Sequence, residues 1–161
     1  MKQLFAAVFT SLLAGCVSYG GPALVPGQST AADAEARLGE PAQRLKLVNG
    51  DSAIYFSRLP YGRAMYVVTV GPDGVMKSIE QRMQPATFAK VVANVWTKKD
   101  VNELLGPPSR TGRLERQERD WWEYRYAFVS PRIVYVQFSD DGMVREMVDV
   151  PDEDHAIGRR R

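Results

Sequence analysis

The feature that most constrains the fold of this chain is an internal repeat. A Thr-x-x-Asp segment, a Leu-Gly-x-Pro segment and an Asp-Gly pair occur twice, in the same order and 67 or 68 residues apart. The first copies lie at 30–33, 38–41 and 73–74, and the second copies lie at 97–100, 105–108 and 141–142. Matched spacing across most of both halves indicates two tandem structural units of one kind.

Each repeat begins with the signals of a short helix. The Thr30 and Thr97 hydroxyls suit an N-cap, and an aspartate three residues later completes a capping-box start. Gly39 and Gly106 stand where a left-handed C-cap is needed, and a proline two residues further on stops the helix. The sequence therefore predicts helices at 30–38 and 97–105.

Antiparallel strands are predicted after each helix, because turn signals such as Asn49-Gly50 separate β-rich runs. The predicted strands are 43–48, 52–58, 64–71 and 75–82 in the first repeat, and 110–116, 119–127, 132–139 and 143–149 in the second. Phe88, Val91, Val92 and Val95 share one helical face and predict an additional helix at 85–95.

The fold class predicted from these patterns is α+β. It consists of two tandem repeats, 29–83 and 84–150, each with a short helix packed on an antiparallel β-meander, and the second repeat has two helices. The two meanders could remain separate or join into one continuous sheet. Residues 151–161 are polar and charge-segregated, which predicts a disordered tail.

The N-terminus predicts a secretory signal peptide at 1–15, in which Lys2 precedes the apolar run 4–13. This run is far shorter than the roughly 20 residues of a membrane-spanning helix. A buried N-terminal helix is the alternative. Leu-Ala-Gly-Cys at 13–16 resembles a bacterial lipobox, and it contains the one cysteine of the chain.

Resemblance to bacterial lipoproteins implies that Cys16 is lipidated. The run Ser-Tyr-Gly-Gly-Pro at 18–22 predicts that 16–28 contains a flexible tether. More than one acyl chain is sufficient for stable anchoring. Val17 follows the cysteine, in place of the aspartate that retains such lipoproteins in the inner membrane of enteric bacteria. The resemblance therefore implies the outer membrane, on its periplasmic side.

Composition narrows the possible activities. The chain has 161 residues, 45% of them hydrophobic, with a net charge of +2, which is typical of a globular domain and argues against a nucleic-acid partner. A single cysteine and a single histidine, His155, exclude a CxxC site and leave few metal ligands or proton carriers. Because no catalytic or nucleotide-binding motif is present, we expect neither an enzyme nor a cofactor or metal site.

The helix-and-meander pattern on a lipidated chain resembles the BamE/SmpA/OmlA family of outer-membrane lipoproteins. The residues that carry this resemblance are Thr97, Asp100, Val101, Leu104, Leu105, Gly106, Pro108, Trp122, Tyr124, Phe138 and Gly142. The first repeat matches less well, with Ala34 and Ala36 at positions where the motif has larger apolar residues. The tandem arrangement is also similar to that of the beta-lactamase inhibitory proteins. Both resemblances imply a protein-binding module without catalytic activity.

Strand alternation predicts two faces in each sheet. One face, with Ile54, Phe56, Trp122 and Tyr124, is expected to pack on the helices. The other face is unusually apolar and is a candidate partner-binding surface. Its members are Trp121, Tyr135, Ile133, Tyr55, Met65 and Val67. One alternative is that loops or the tail cover this face. The other is that the strand register is shifted by one residue, which would exchange the two faces.

A second candidate contact is the loop 57–63, which presents Tyr61 and Arg63, and the alternative is a solvated loop without a partner. The function expected from the sequence is that of an envelope lipoprotein that binds a protein partner as an accessory to assembly or integrity. The alternatives are an inhibitor or scavenger of a periplasmic enzyme, and a structural lipoprotein that contacts peptidoglycan or lipopolysaccharide.

Overall fold

The computed structural model describes residues 23–153. The predicted signal peptide, Cys16 and the tail residues 154–161 lie outside the described residues. The first repeat contains α1 (Ala31–Leu38), β1 (Gln43–Lys46), β2 (Ser52–Ser57), β3 (Met65–Val70) and β4 (Met76–Gln81). The second contains α2 (Pro85–Phe88), α3 (Lys98–Leu105), β5 (Arg110–Leu114), a 3-10 turn (Glu115–Gln117), β6 (Arg119–Ala127), β7 (Pro131–Ser139) and β8 (Val144–Pro151).

The strands form two antiparallel meanders, which confirms the α+β fold. Sheet 1 has the order β1-β2-β3-β4, and sheet 2 has the order β5-β6-β7-β8. The two sheets are separate, so the possibility of one continuous sheet is wrong. The repeat is visible in matching details, because Thr30 bridges to Val75 in the first unit as Thr97 bridges to Met143 in the second.

Both predicted capping boxes are present. The Thr97 N–H donates to Asp100 Oδ2 at 2.8 Å, and the equivalent distance from Thr30 to Asp33 is 2.7 Å. Hydrogen bonds from the capping threonine hold the pKa of each aspartate below its usual value.

The helix-ending glycines adopt the positive φ that the sequence predicts, 84° at Gly39 and 78° at Gly106. Their ψ angles of −162° and −169° differ from those of a left-handed cap. This combination of angles is essentially restricted to glycine. The helix therefore passes directly into an extended segment that leads to the first strand.

The prediction of a helix at 85–95 is wrong in its length, because the helix that begins at Pro85 ends at Phe88. Asn94 has a positive φ of 62°, and its N–H donates to the Val144 carbonyl at 2.7 Å. The chain thus leaves the helix to pair beside β8. Val92 and Val95, which the periodicity placed on a buried face, are 49% and 64% exposed.

The first repeat packs its own helix on one face of sheet 1. Ala34 of α1 is fully buried, in a cluster with residues of β2, β3 and β4. The members of this cluster in the strands are Ile54, Phe56, Val68, Val70 and Met76. Ile54 and Phe56 are thus on the face that alternation placed toward the helix.

Helix α3, the counterpart of α1 in the second repeat, lies between the two sheets. Val101 and Leu105 are fully buried in a cluster that combines the second face of sheet 1 with the helix-facing side of sheet 2. The Tyr55 hydroxyl donates to the Glu103 carbonyl at 2.6 Å from the first sheet. The Tyr124 hydroxyl donates to the Gly106 carbonyl at 3.0 Å from the second. One short helix therefore joins both repeats.

Candidate functional site

The side of sheet 2 that points away from α3 is termed the open face. Sheet 1 is packed against α1 on one side and against α3 on the other, whereas neither apolar cluster of the described residues includes Trp121, Ile133 or Tyr135. Alternation and the β6–β7 register place these three side chains on one surface. The open face is therefore the sheet surface that no helix of residues 23–153 covers.

Two aromatic rings form the centre of the open face. Trp121 and Tyr135 meet edge to face, with ring centroids 5.5 Å apart and an interplanar angle of 86°. Gly112 lies opposite Trp121 on β5, and a Cβ atom there would be 2.3 Å from Trp121 Cζ2. The glycine thus makes room for the indole ring to lie flat on the neighbouring strand. Both aromatic side chains remain partly exposed.

A buried charged network lies beside the aromatic pair. Glu123 accepts from Arg125 Nε at 2.8 Å and from Ser109 Oγ at 3.1 Å. Arg125 Nη1 lies 3.4 Å from Asp152 Oδ2, and Arg63 Nη2 donates to the same oxygen at 2.6 Å. Because Arg63 precedes β3 and Asp152 follows β8, this network fastens the first repeat to the end of sheet 2.

Electrostatics keep Tyr135 a neutral hydrogen-bonding group. Burial raises the pKa of its hydroxyl, and the negative charge of Glu123 raises it further. Glu123 itself is 2% exposed and is paired with Arg125, so this carboxylate is arranged as a structural ion pair. The chemistry available on the open face is therefore apolar and aromatic contact with a few hydrogen bonds.

Three of the predicted binding residues occupy different surroundings from those expected. Tyr55, Met65 and Val67 are 0%, 0% and 2% exposed, because α3 of the second repeat covers that face of sheet 1. The prediction that they are exposed is wrong, although alternation assigned them to the correct face. Ile133 lies on the open face but is 7% exposed.

In the loop between β2 and β3, the Tyr61 side chain is exposed and the Arg63 side chain is paired. Tyr61 is 91% exposed, whereas the Arg63 side chain is 14% exposed and is paired with Asp152. Asp152 N–H donates to the Pro131 carbonyl at 3.0 Å, so this loop lies at the end of sheet 2 that holds the β6–β7 turn.

The β6–β7 turn contains exposed apolar residues that the sequence analysis did not single out. Phe128 is 77% exposed and Val129 is 92% exposed. The sequence does contain a signal for them, because two consecutive apolar residues lie between two predicted strands, in a turn that would normally be polar. Tyr61, Phe128 and Val129 together are termed the tip.

Within residues 23–153, no group of three or more His, Cys, Asp or Glu side chains could hold a metal ion. None of the helices in this part of the chain is long and apolar enough to cross a bilayer. Asp152 and Pro151, which the sequence placed in a disordered tail, belong to the folded domain: Pro151 ends β8 and Asp152 is 4% exposed.

Comparison with known proteins gives one distant structural likeness. No protein-family model matches the chain, and no curated protein matches it in sequence. A solved structure of YjgB, a DUF4309 family protein from Bacillus subtilis, aligns with 80% of this chain and 82% of its own. The two are 15% identical, and the TM-score is 0.31.

Proposed function

We propose that this chain is a lipid-anchored accessory protein of the bacterial envelope that binds a protein partner through the open face of sheet 2. The observation that carries the proposal is the Trp121–Tyr135 pair, which is partly exposed on a sheet surface that no helix of the described residues covers. Tryptophan and tyrosine dominate the binding energy of many protein interfaces.

Preorganisation of the open face supports a binding role. Trp121 is seated on Gly112 and against Tyr135, so little side-chain freedom remains to be lost when a partner binds. The Glu123–Arg125–Asp152–Arg63 network holds the adjoining strands and the β2–β3 loop in place. A rigid aromatic centre with a polar surround is the usual anatomy of a protein interface.

The envelope setting of the proposal rests on the sequence. The lipobox-like segment ending at Cys16 and the resemblance to BamE-type lipoproteins both favour the periplasmic side of the outer membrane. The cap-and-turn residues that carry the resemblance specify a fold more than an activity. A role in envelope assembly or integrity, without catalysis, is the function most consistent with a module whose best surface is a flat aromatic face.

We expect Trp121→Ala to weaken partner binding about thirtyfold, the effect of losing a hot-spot aromatic worth about 2 kcal/mol. The free energy of unfolding should fall by only about 1 kcal/mol, through loss of the contact with Tyr135. A photo-crosslinking residue at Gln137, on the same face, should capture the partner in intact cells, and Trp121→Ala should abolish the product. Trp121→Phe should retain part of it.

A crosslinker at Val92, which is 49% exposed away from the open face, provides the control for nonspecific capture. Undiminished capture at Gln137 in the Trp121→Ala protein would overturn the proposal. If Trp121→Ala unfolds the domain instead, the indole ring is a core element and not a contact residue.

The tip supports a second candidate function, inhibition or scavenging of a periplasmic enzyme. Tyr61, Phe128 and Val129 protrude from two loops at one end of the molecule, and protruding apolar loops fit into a partner's cleft. Phe128→Ser separates the two candidates, because it should spare the crosslink from Gln137 if the open face binds. Loss of the partner with Phe128→Ser and not with Trp121→Ala would favour the inhibitor.

The anchor is tested independently of the partner. We expect Cys16→Ser to prevent acylation and to release the protein from the outer membrane, because a single thiol carries the lipid in the proposed arrangement. Membrane flotation of cell extracts, followed by mass analysis of the N-terminal peptide, measures both effects. A Cys16→Ser protein that still floats with outer membranes would show that another segment attaches it.

A further inference from the structure

A cavity of about 580 Å³ lies between the two repeats, away from the open face. Its floor is part of the second face of sheet 1, at Ala53, Val67 and Thr69, and its wall includes Trp96 and Leu104. The volume lies within the range of about 300–1,000 Å³ that is typical of ligand pockets. A largely apolar lining with a few polar groups is also characteristic of such pockets.

The cavity exists because α3 covers only part of this face of sheet 1. The helix ends at Leu105, next to Tyr55 and Met65, and begins at Lys98. The preceding segment leaves its helix at Phe88 and runs beside β8 instead of continuing over the sheet. Trp96 is therefore left as a side wall, and a gap remains above Ala53 and Thr69.

Three charged residues line the cavity, namely Arg82, Glu103 and Asp100, and Asp100 already accepts hydrogen bonds from Thr97 in the capping box of α3. Arg82 Nε lies 3.3 Å from Glu80 Oε2, and no ion pair joins Arg82 to Glu103 in the described part of the chain. Both groups act on the Tyr55 hydroxyl, whose pKa burial raises to about 12, with Glu103 raising it and Arg82 lowering it. Arg82, which carries hydrogen-bond donors, and Glu103, which carries acceptors, thus line the same cavity as Tyr55, whose hydroxyl donates to the Glu103 carbonyl at 2.6 Å.

We propose that this cavity binds an extended apolar peptide segment of a partner protein. A peptide group carries one carbonyl acceptor and one N–H donor, which complement the Arg82 guanidinium and the Glu103 carboxylate respectively. An adjacent aliphatic side chain would lie between Val67, Leu104 and Trp96. The site does not depend on the open face, because none of the residues named for it lies on that surface.

The test uses the purified full-length chain and N-acetyl-L-leucinamide, a leucine flanked by two peptide-like amides. Two-dimensional NMR titration should shift the signals of Leu47, Thr69 and Trp96. Thr69→Phe, which fills the cavity, should abolish these shifts. Arg82→Gln and Glu103→Gln should each weaken binding about tenfold, the effect of losing a hydrogen bond to a charged group. Glu115→Gln, an exposed carboxylate elsewhere, should leave binding unchanged.

Two reference probes distinguish the possible ligand chemistries. Equal binding of 3-methylbutan-1-ol, which has the aliphatic group without the amides, would overturn recognition of a peptide group. Tighter binding of free leucine would assign the cavity to amino-acid zwitterions and overturn the peptide proposal. Since Thr69→Phe could disturb the fold, thermal unfolding of that variant must match the parent; if it does not, the two charge variants decide the outcome.

Discussion

Replacing Gly106 with alanine is expected to lower the free energy of unfolding by about 2–6 kcal/mol. Two costs combine at this position. A φ of +78° with an extended ψ strains any residue that has a Cβ, which costs about 1–3 kcal/mol. The added Cβ would also lie 2.7 Å from Tyr55 Cδ1 and 3.3 Å from Met65 Cε, and overpacking of this kind costs about 1–3 kcal/mol more.

Gly39 provides a matched control within the same chain. It ends α1 with nearly the same backbone angles, but a Cβ there would meet no atom within 4 Å. Gly39→Ala should therefore cost only the backbone strain, about 1–3 kcal/mol. Urea denaturation of both variants measures the difference. Equal losses would mean that Tyr55 and Met65 do not pack on the end of α3, and that the contact between the repeats is misplaced.

Local signals account for most of what the sequence could predict. Capping threonines, helix-ending glycines and Asp-Gly turns act within a few residues, so α1, α3 and all eight strands lie close to their predicted positions. Alternation also separated the two faces of each sheet correctly, because the side-chain period of a strand does not depend on its partners.

These local patterns could not predict the contacts between the two repeats. Tyr55, Met65 and Val67 have the pattern of an exposed apolar face until α3, from a distant part of the chain, is placed over them. In the segment 89–96, pairing of Asn94 and Trp96 with Val144 prevails over the helical periodicity of four apolar residues. The sequence likewise contained no sign that Arg63 and Asp152, 89 residues apart, would meet.

Replacing Asp152 with alanine should produce a loss as large as that at Gly106, about 3–5 kcal/mol, since it removes the carboxylate that pairs with the largely buried Arg63 and one of the carboxylates beside Arg125. The Asp152 carboxylate is fully buried and contacts both Arg63 and Arg125, whose side chains are only 14% and 10% exposed. Desolvated guanidinium groups depend on such pairing. Asp152→Asn should cost less, because the amide oxygen can still accept a hydrogen bond.

Asp140→Ala is the control, because Asp140 pairs with Arg113 at 2.9 Å but is 64% exposed, and surface pairs contribute about 0–1 kcal/mol. A double-mutant cycle with Arg63→Met and Asp152→Ala should give a coupling energy of about 1–3 kcal/mol. This coupling measures how far the first repeat stabilises the end of sheet 2. If the two losses simply add, Arg63 and Asp152 act independently, and the network does not hold the β2–β3 loop and its Tyr61 beside the second repeat.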